Sequence, residues 1–308
     1  MVKRVYAVVG ASGQIGQVVA ESLVKRGHEV RAIGRDPKKL EALKSKGTEI
    51  VVTNGFSDPS TFEKCFQGCD AAFLMIPPGQ GVDDLWAFQD RVGQVLTEAV
   101  RKSGLGAVVN LSSIGADLPT GLGPINGLHR QEERLNALSK VDVLHLRAAY
   151  FMDNFMWAIP AILQTGALKT PLKPEIALPL VATADIGMKA SELLDQLNFK
   201  GHSVCDFLGP RAITMEEVAP ILGRAIDKPD LKYVAQSYEE LRKGLASIGV
   251  QPKVIEVMIE MYTGINAGKC NPTQKPTPDQ CGKTALEEFA KIFAKAYKSQ
   301  AEKLKVSV

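Results

Sequence analysis

Short blocks of consecutive apolar residues alternate with stretches whose apolar positions recur every three or four residues. This alternation runs through roughly the first 150 positions. The blocks at 5–9, 29–33, 49–53, 71–76, 107–111 and 141–147 are short and rich in Val, Ile, Ala and Leu. Such runs predict strands buried on both faces, as parallel sheets require. Helical patterns lie between them, from Gln14 to Arg26, around Phe62 and Phe66, and from Asp84 to Lys102. Strand regularly followed by helix predicts an α/β fold: a doubly wound parallel sheet with right-handed crossovers, a Rossmann arrangement.

The second half changes character. Leu178 to Gly187 leads into a helix running to Leu197, with Asp185 as its expected cap, and 202–208 reads as a further strand. Thr214-Met215-Glu216-Glu217 has the spacing of a capping box. From Tyr233 onward the apolar positions Leu241, Leu245, Val254, Val257 and Met258 read as helix, and so does 285–297. Between these lies 264–282, with three prolines and three glycines, an irregular stretch of the kind that is functional or mobile and a candidate cover for a pocket. The expected division is a dinucleotide-binding domain over 1–155, with a return segment near 184–208, and a second, smaller, mostly helical substrate domain over 156–308.

The chemistry concentrates after the first strand. Gly10-Ala11-Ser12-Gly13-Gln14-Ile15-Gly16 places three glycines between strand and helix. The first allows a tight turn, the second a close approach of backbone to a pyrophosphate, and the third close packing of helix on strand. The helix start offers unpaired N–H groups and a positive dipole end. Gly10, Ser12, Gly13, Gln14, Ile15 and Gly16 are therefore candidate cofactor contacts. Arg35, nineteen residues beyond Gly16 at the end of the second strand, suits an adenosine 2′-phosphate and favours NADP(H). Asp36 precedes Pro37 and reads as a helix N-cap. Ile76 and Pro77, and Ser112, end the fourth and fifth strands, where α/β ligands bind.

Composition narrows the classes. The net charge of +3 over 308 residues, with no basic block, argues against nucleic acid as a partner. No stretch reaches the roughly 18 apolar residues of a membrane span. Five scattered cysteines without a CxxC pair and four isolated histidines show no metal constellation, and they fit a cytoplasmic protein with free thiols.

These residues resemble the NmrA-like branch of the atypical short-chain dehydrogenases/reductases. The resemblance rests on the glycine turn, on Val30 to Pro37, Ser57-Asp58-Pro59, Ala72 to Pro78, Ser112 to Ala116, and Leu146-Arg147 leading to Phe151-Met152-Asp153-Asn154. It implies NADP(H) or NAD(H) binding. It also implies one of two functions: a reductase of quinones, azo dyes or triarylmethane dyes, or a redox-sensing regulator that binds the cofactor without catalysis. Ordinary short-chain reductases carry a Tyr-x-x-x-Lys pair, whereas Ile125 and His129 stand in the aligned places. Without that tyrosine, alcohol oxidation lacks its acid and base, while quinone reduction demands less of the protein. His129 is a candidate for a ribose contact or a proton donor. A second departure is Asn54-Gly55 in place of the usual Gly-Asp. The run from Tyr150 to Trp157 suits a flat aromatic or quinone-like substrate, with Tyr150 and Asn154 as its polar candidates. The expected function is NADPH-dependent hydride transfer to such an acceptor; the alternative is an NADP(H)-responsive sensor. The sequence leaves the oligomeric state open.

Overall fold

A computed structural model describes residues 2–306. The first half alternates strictly: β1 (Val5–Val9), α1 (Gln14–Lys25), β2 (Glu29–Gly34), α2 (Pro37–Lys44), β3 (Glu49–Val52), α3 (Pro59–Phe66), β4 (Ala71–Leu74), α4 (Leu85–Ser103), β5 (Ala107–Ser113), α5 (Pro124–Asn136) and β6 (Asp142–Ala148). A 3-10 turn over Met152–Ala158 leads to α6 (Ile159–Thr165), β7 (Ala167–Thr170), β8 (Ala177–Pro179), α7 (Thr183–Gln196) and β9 (His202–Phe207). The chain ends with β10 (Ala212–Thr214), α8 (Met215–Ala225), β11 (Lys232–Ala235), α9 (Tyr238–Ser247), α10 (Pro252–Asn266) and α11 (Leu286–Val306).

Seven strands form one sheet in the order β3-β2-β1-β4-β5-β6-β9, and every pairing is parallel. Tyr6, Ala7, Val8 and Val9 of β1 are inaccessible on either face. Each large apolar side chain buried this way contributes about 1.5–3 kcal/mol over an exposed one. α1 and α7 pack together on one face of the sheet, and α3, α4 and α5 line the other. The chain moves to opposite sides of β1 for β2 and for β4. The switch point of the sheet therefore lies at the carboxyl ends of β1 and β4, the crevice where ligands bind in such folds.

Two strand ends differ from the sequence expectation. β4 stops at Leu74 instead of Ile76, just ahead of Pro77 and Pro78, which have no N–H to donate to a ladder. β5 continues through Ser112 and Ser113, paired with Arg147 and Ala148 of β6, because the Ser112 hydroxyl finds a buried partner in Glu132.

Asp185 does not cap α7. Ala182 holds that position, and the Thr183 N–H donates to Asp153 at 3.1 Å. Asp185 instead accepts from the Thr284 N–H (2.8 Å) and hydroxyl (2.9 Å), tying down the chain as it enters α11. Tyr233 is not helical either. The Lys232-Tyr233-Val234 segment, rich in strand formers, pairs parallel with β7, and the Tyr233 phenol bonds Thr170. The helix begins later, behind a Ser237–Glu240 capping box, and the Thr214–Glu217 box opens α8 as its spacing predicts.

The second half adds short strand pairs, β8 with β10 and β7 with β11, to its helices. Its own core gathers Phe155, Ile159, Leu168, Met215, Leu222, Phe289 and Phe293. The expected irregular stretch begins after Asn266, because Gly264 belongs to α10. A Cβ there would overlap the Gly121 carbonyl oxygen, so this glycine permits close packing and does not break the helix. From 267 to 281 the chain crosses the carboxyl ends of β5 and β9. Cys270 lies 3.8 Å from the Ile114 carbonyl, Thr273 bonds Asp206, and Cys281 bridges to Leu208. Among the described residues no helix is long and apolar enough to cross a membrane.

Candidate functional site

The glycine turn builds the first part of the site. Gly10 has φ +75°, a conformation open to glycine at little cost. A Cβ on Gly16 would overlap the Gly10 carbonyl oxygen, so α1 can seat against the turn only with glycine there. Gly13 is the N-cap and contributes no side-chain bond, and the first turn of α1 holds no acidic residue. The next three helices are each capped by an aspartate: Asp36, Asp58 and Asp84. The N–H groups of Gln14, Ile15 and Gly16 thus remain free at the positive end of α1, as an anionic ligand requires.

A cleft of about 590 Å³ opens beside this turn. It is lined by Gly10, Ser12 and Gly13, by Gly34, Arg35 and Lys39 from the β2–α2 region, by Thr53 and Phe56 beyond β3, and by Met75, Pro77 and Pro78 beyond β4. Arg35 and Lys39 are exposed, and neither has an ion-pair partner among the described residues. Asp36, between them in sequence, is occupied by the Lys38 and Lys39 N–H groups as the α2 cap. Two cations without an ion-pair partner among the described residues therefore border one rim, with the Asp36 carboxylate also lining the cleft. Lys39 is a cleft residue that sequence reasoning missed. Its signal was available: a lysine in the first turn of a helix opposes the dipole, so its placement there calls for another reason.

Phe56 was also missed. Gly55, at φ +105°, turns the chain so that the Phe56 ring stacks on Phe62 at 5.0 Å between centroids. Asn54 does not line the cleft. Of the other candidates, Gln14 is exposed at the helix start, Ile15 and Gly16 are buried beneath it, and Ile76 is half-buried outside the cleft lining. Ser112 lies deeper: 3% exposed, with its hydroxyl donated to Glu132 at 2.5 Å. Glu132 also takes a bidentate pair from Arg147, at 2.9 and 2.6 Å, with both residues buried.

His129 projects from α5 towards the β5–α5 loop. Its Nδ1 lies 2.8 Å from the Ala116 carbonyl oxygen, and its Nε2 is 3.5 Å from Glu133. Ile125, one turn earlier, is core. The carbonyl fixes Nδ1 as the protonated nitrogen and leaves Nε2 on the other side of the ring.

The aromatic run after β6 divides. Met152 and Phe155 are buried in the second core, while Trp157 is 76% exposed and outside the cleft lining. Tyr150 and Asn154 are half-buried and lie together with Tyr262, a residue of α10. Burial, followed by the facing Tyr262 phenol, pushes the Tyr150 phenol well up from its ordinary range, and burial raises Tyr262 as well. No local pattern marks Tyr262, because α10 reaches Tyr150 only through its seat on the Gly121–Gly123 loop. A Cβ on Gly123 would overlap the Val257 carbonyl, and Glu260 accepts the Gly121 N–H at 2.9 Å.

An uncapped glycine turn, a cleft at the sheet's switch point and a rim of two free cations together fit a dinucleotide. Comparison with known proteins agrees. Over nearly its full length the chain is 25% identical to an NAD(P)H azoreductase of Xenophilus azovorans, covering 94% of this chain and 98% of that protein. Its fold is similar to that of an NADPH-dependent quinone oxidoreductase of Escherichia coli solved with NADPH (TM-score 0.78, 21% identity, 92% and 98% covered). It is also similar to that of NmrA, a negative transcriptional regulator, solved with NAD (TM-score 0.70, 18% identity, 97% and 98% covered). Residues 10–164, half of the chain, match the NAD(P)H-binding family, and the protein belongs to that family.

Proposed function

We propose that this protein is an NADPH-dependent reductase that passes a hydride to a quinone-like or other conjugated aromatic acceptor. The observation that carries the reading is the free N-terminus of α1 facing, across one cleft, the unpaired cations Arg35 and Lys39. The N–H groups of Gln14, Ile15 and Gly16 would hold the pyrophosphate. Arg35, with Lys39, would hold a 2′-phosphate and so select NADPH over NADH. Phe56 offers an aromatic face at the adenine end. Bound there, the reduced nicotinamide supplies the hydride. By the topology of the sheet its reactive end would reach the carboxyl ends of β5 and β6. His129 keeps Nε2 for a ribose hydroxyl or a proton, and Tyr150 and Asn154 supply the polar groups on the substrate side. The quinone- and azo-reducing relatives support the choice of acceptor.

A second reading, an NADP(H)-responsive regulator, is favoured by the fold shared with NmrA. A sensor needs no path to the nicotinamide, but it must present a different surface when the cofactor changes. The test is NADPH oxidation with a panel of quinones and azo dyes against a protein-free control. Turnover with at least one acceptor is the expected result. Tight NADPH binding with no turnover on any acceptor would make the regulator the correct reading.

A further inference from the structure

Three polar side chains, two of them four residues apart and the third from a distant helix, meet beyond the carboxyl end of β6. Tyr150 follows the strand directly, Asn154 lies one turn further along the 3-10 helix, and Tyr262 comes from α10. Tyr150 is fixed at its backbone, whose carbonyl accepts the Val181 N–H at 3.0 Å, and its ring leans on Phe155 at 6.1 Å. Tyr262 is held by the tight seat of α10 on the loop before α5. The Tyr150 phenol faces both the Tyr262 phenol and the Asn154 carboxamide. All three are half-buried.

In the same lobe the Tyr233 phenol is fully committed. Tyr233 bonds Thr170 and the Leu172 carbonyl. Half-buried hydroxyl and amide groups with capacity to spare are costly unless something completes them. Convergent polar groups in a largely apolar wall are what fixes the orientation of a small ligand. Tyr150 and Tyr262 pack, with Met156 and Met261, against the core that holds Met152 and Phe155.

Resting on the reductase reading above, we propose that Tyr262 and Tyr150, aligned by Asn154, form the hydrogen-bonding anchor and proton source for an acceptor that needs a proton as well as a hydride. The assignment sorts the acceptors by chemistry. A quinone takes a hydride and one proton to become a hydroquinone. An azo group takes a hydride on one nitrogen and a proton on the other to become a hydrazo group. A triarylmethane cation takes a hydride on its central carbon and needs no proton. For the first two, the hydride comes from NADPH, and the O–H bond of a tyrosine breaks as the new O–H or N–H bond forms. The phenolate left behind regains its proton from water. Burial holds both phenols above their ordinary range, so they meet the acceptor protonated, as hydrogen-bond donors, and the proton moves only as the hydride arrives and the acceptor's basicity rises.

The experiment compares wild type with Tyr262→Phe and Tyr150→Phe, each removing only a hydroxyl. The measurements are NADPH affinity, turnover with a naphthoquinone, an azo dye and a triarylmethane cation, and binding of the corresponding naphthohydroquinone to the NADP⁺ complex. Loss of quinone and azo turnover on the order of 10²-fold is expected. The quinone-to-triarylmethane rate ratio should fall by at least about tenfold, and hydroquinone affinity should weaken roughly tenfold. NADPH affinity should stay within about twofold, which certifies the folded state. An unchanged rate ratio with unchanged hydroquinone affinity would overturn the assignment while leaving the reductase standing. An equal fall for all three acceptors would also overturn it, as a structural effect. Wild type that turns over no acceptor would remove the reductase reading itself, and the trio's role with it.

Discussion

At the scale of single residues, the proposed selection of NADPH assigns cofactor choice to two side chains that differ in how visible they were. Arg35 stands where the dinucleotide motif expects a discriminating residue, so spacing alone finds it. Lys39 lies in the first turn of α2, where its opposition to the dipole is a weak signal, and the fold of that turn brings it to the same rim. NADPH should bind more tightly than NADH by about 1–3 kcal/mol for each charge-assisted contact made. Arg35→Ala or Lys39→Ala should each remove part of that preference, and the double variant nearly all of it. NADH affinity should change little. Calorimetric titration of both cofactors at low and high salt checks this, because contacts at exposed cations weaken as salt screens them. Equal affinity of the wild type for both cofactors would refute it.

At the scale of elements, β5, β6 and α5 are locked by one buried ion pair. Ser112 and Arg147 are cross-strand neighbours, and Glu132 reaches down from α5 to bind both. Arg147→Met strands the Glu132 carboxylate without its partner. It should cost about 3–5 kcal/mol, read as a lower urea midpoint. Replacing Glu132 with Gln in the same chain should recover much of that loss, because no uncompensated charge remains. Failure of the second substitution to restore any stability would show that the pair does not act as a unit. Asp206 stands beside Arg147 in register and holds Thr273 through 2.6 and 2.8 Å bonds, so the 267–281 segment is tied to this same row of strand ends. The strands were legible as apolar blocks. The pair was not, because a glutamate and an arginine fifteen residues apart look like surface charges until helix and strand are stacked.

At the scale of the whole molecule, acid stability should follow His145. Its ring is 1% exposed, with Nδ1 3.2 Å from the Asn110 amide nitrogen and Nε2 2.9 Å from the Asn136 amide oxygen. Burial lowers its pKa to about 4, so the folded state holds it neutral where an unfolded chain would protonate it. The unfolded state therefore binds more protons between about pH 6.5 and about pH 4. The contribution is fully present above that window and is lost as pH falls through it, by about 3 kcal/mol in all. His145→Gln should flatten this part of the pH–stability curve, and an unaltered slope would exclude the histidine as its source. The sequence by itself determined the parallel sheet, the glycine turn and the place of Arg35 at the end of β2. Each is written in local periods and spacings, and strand burial and phosphate binding depend on neighbouring residues of one segment. The tertiary structure alone decided that Asp185 ties down the segment before α11, that Tyr233 is a strand residue, and that Tyr262 meets Tyr150 across more than a hundred residues. Those outcomes depend on which surfaces pack together, and that is set by the total apolar area and the close glycine contacts of the folded chain, to which no short window of sequence has access.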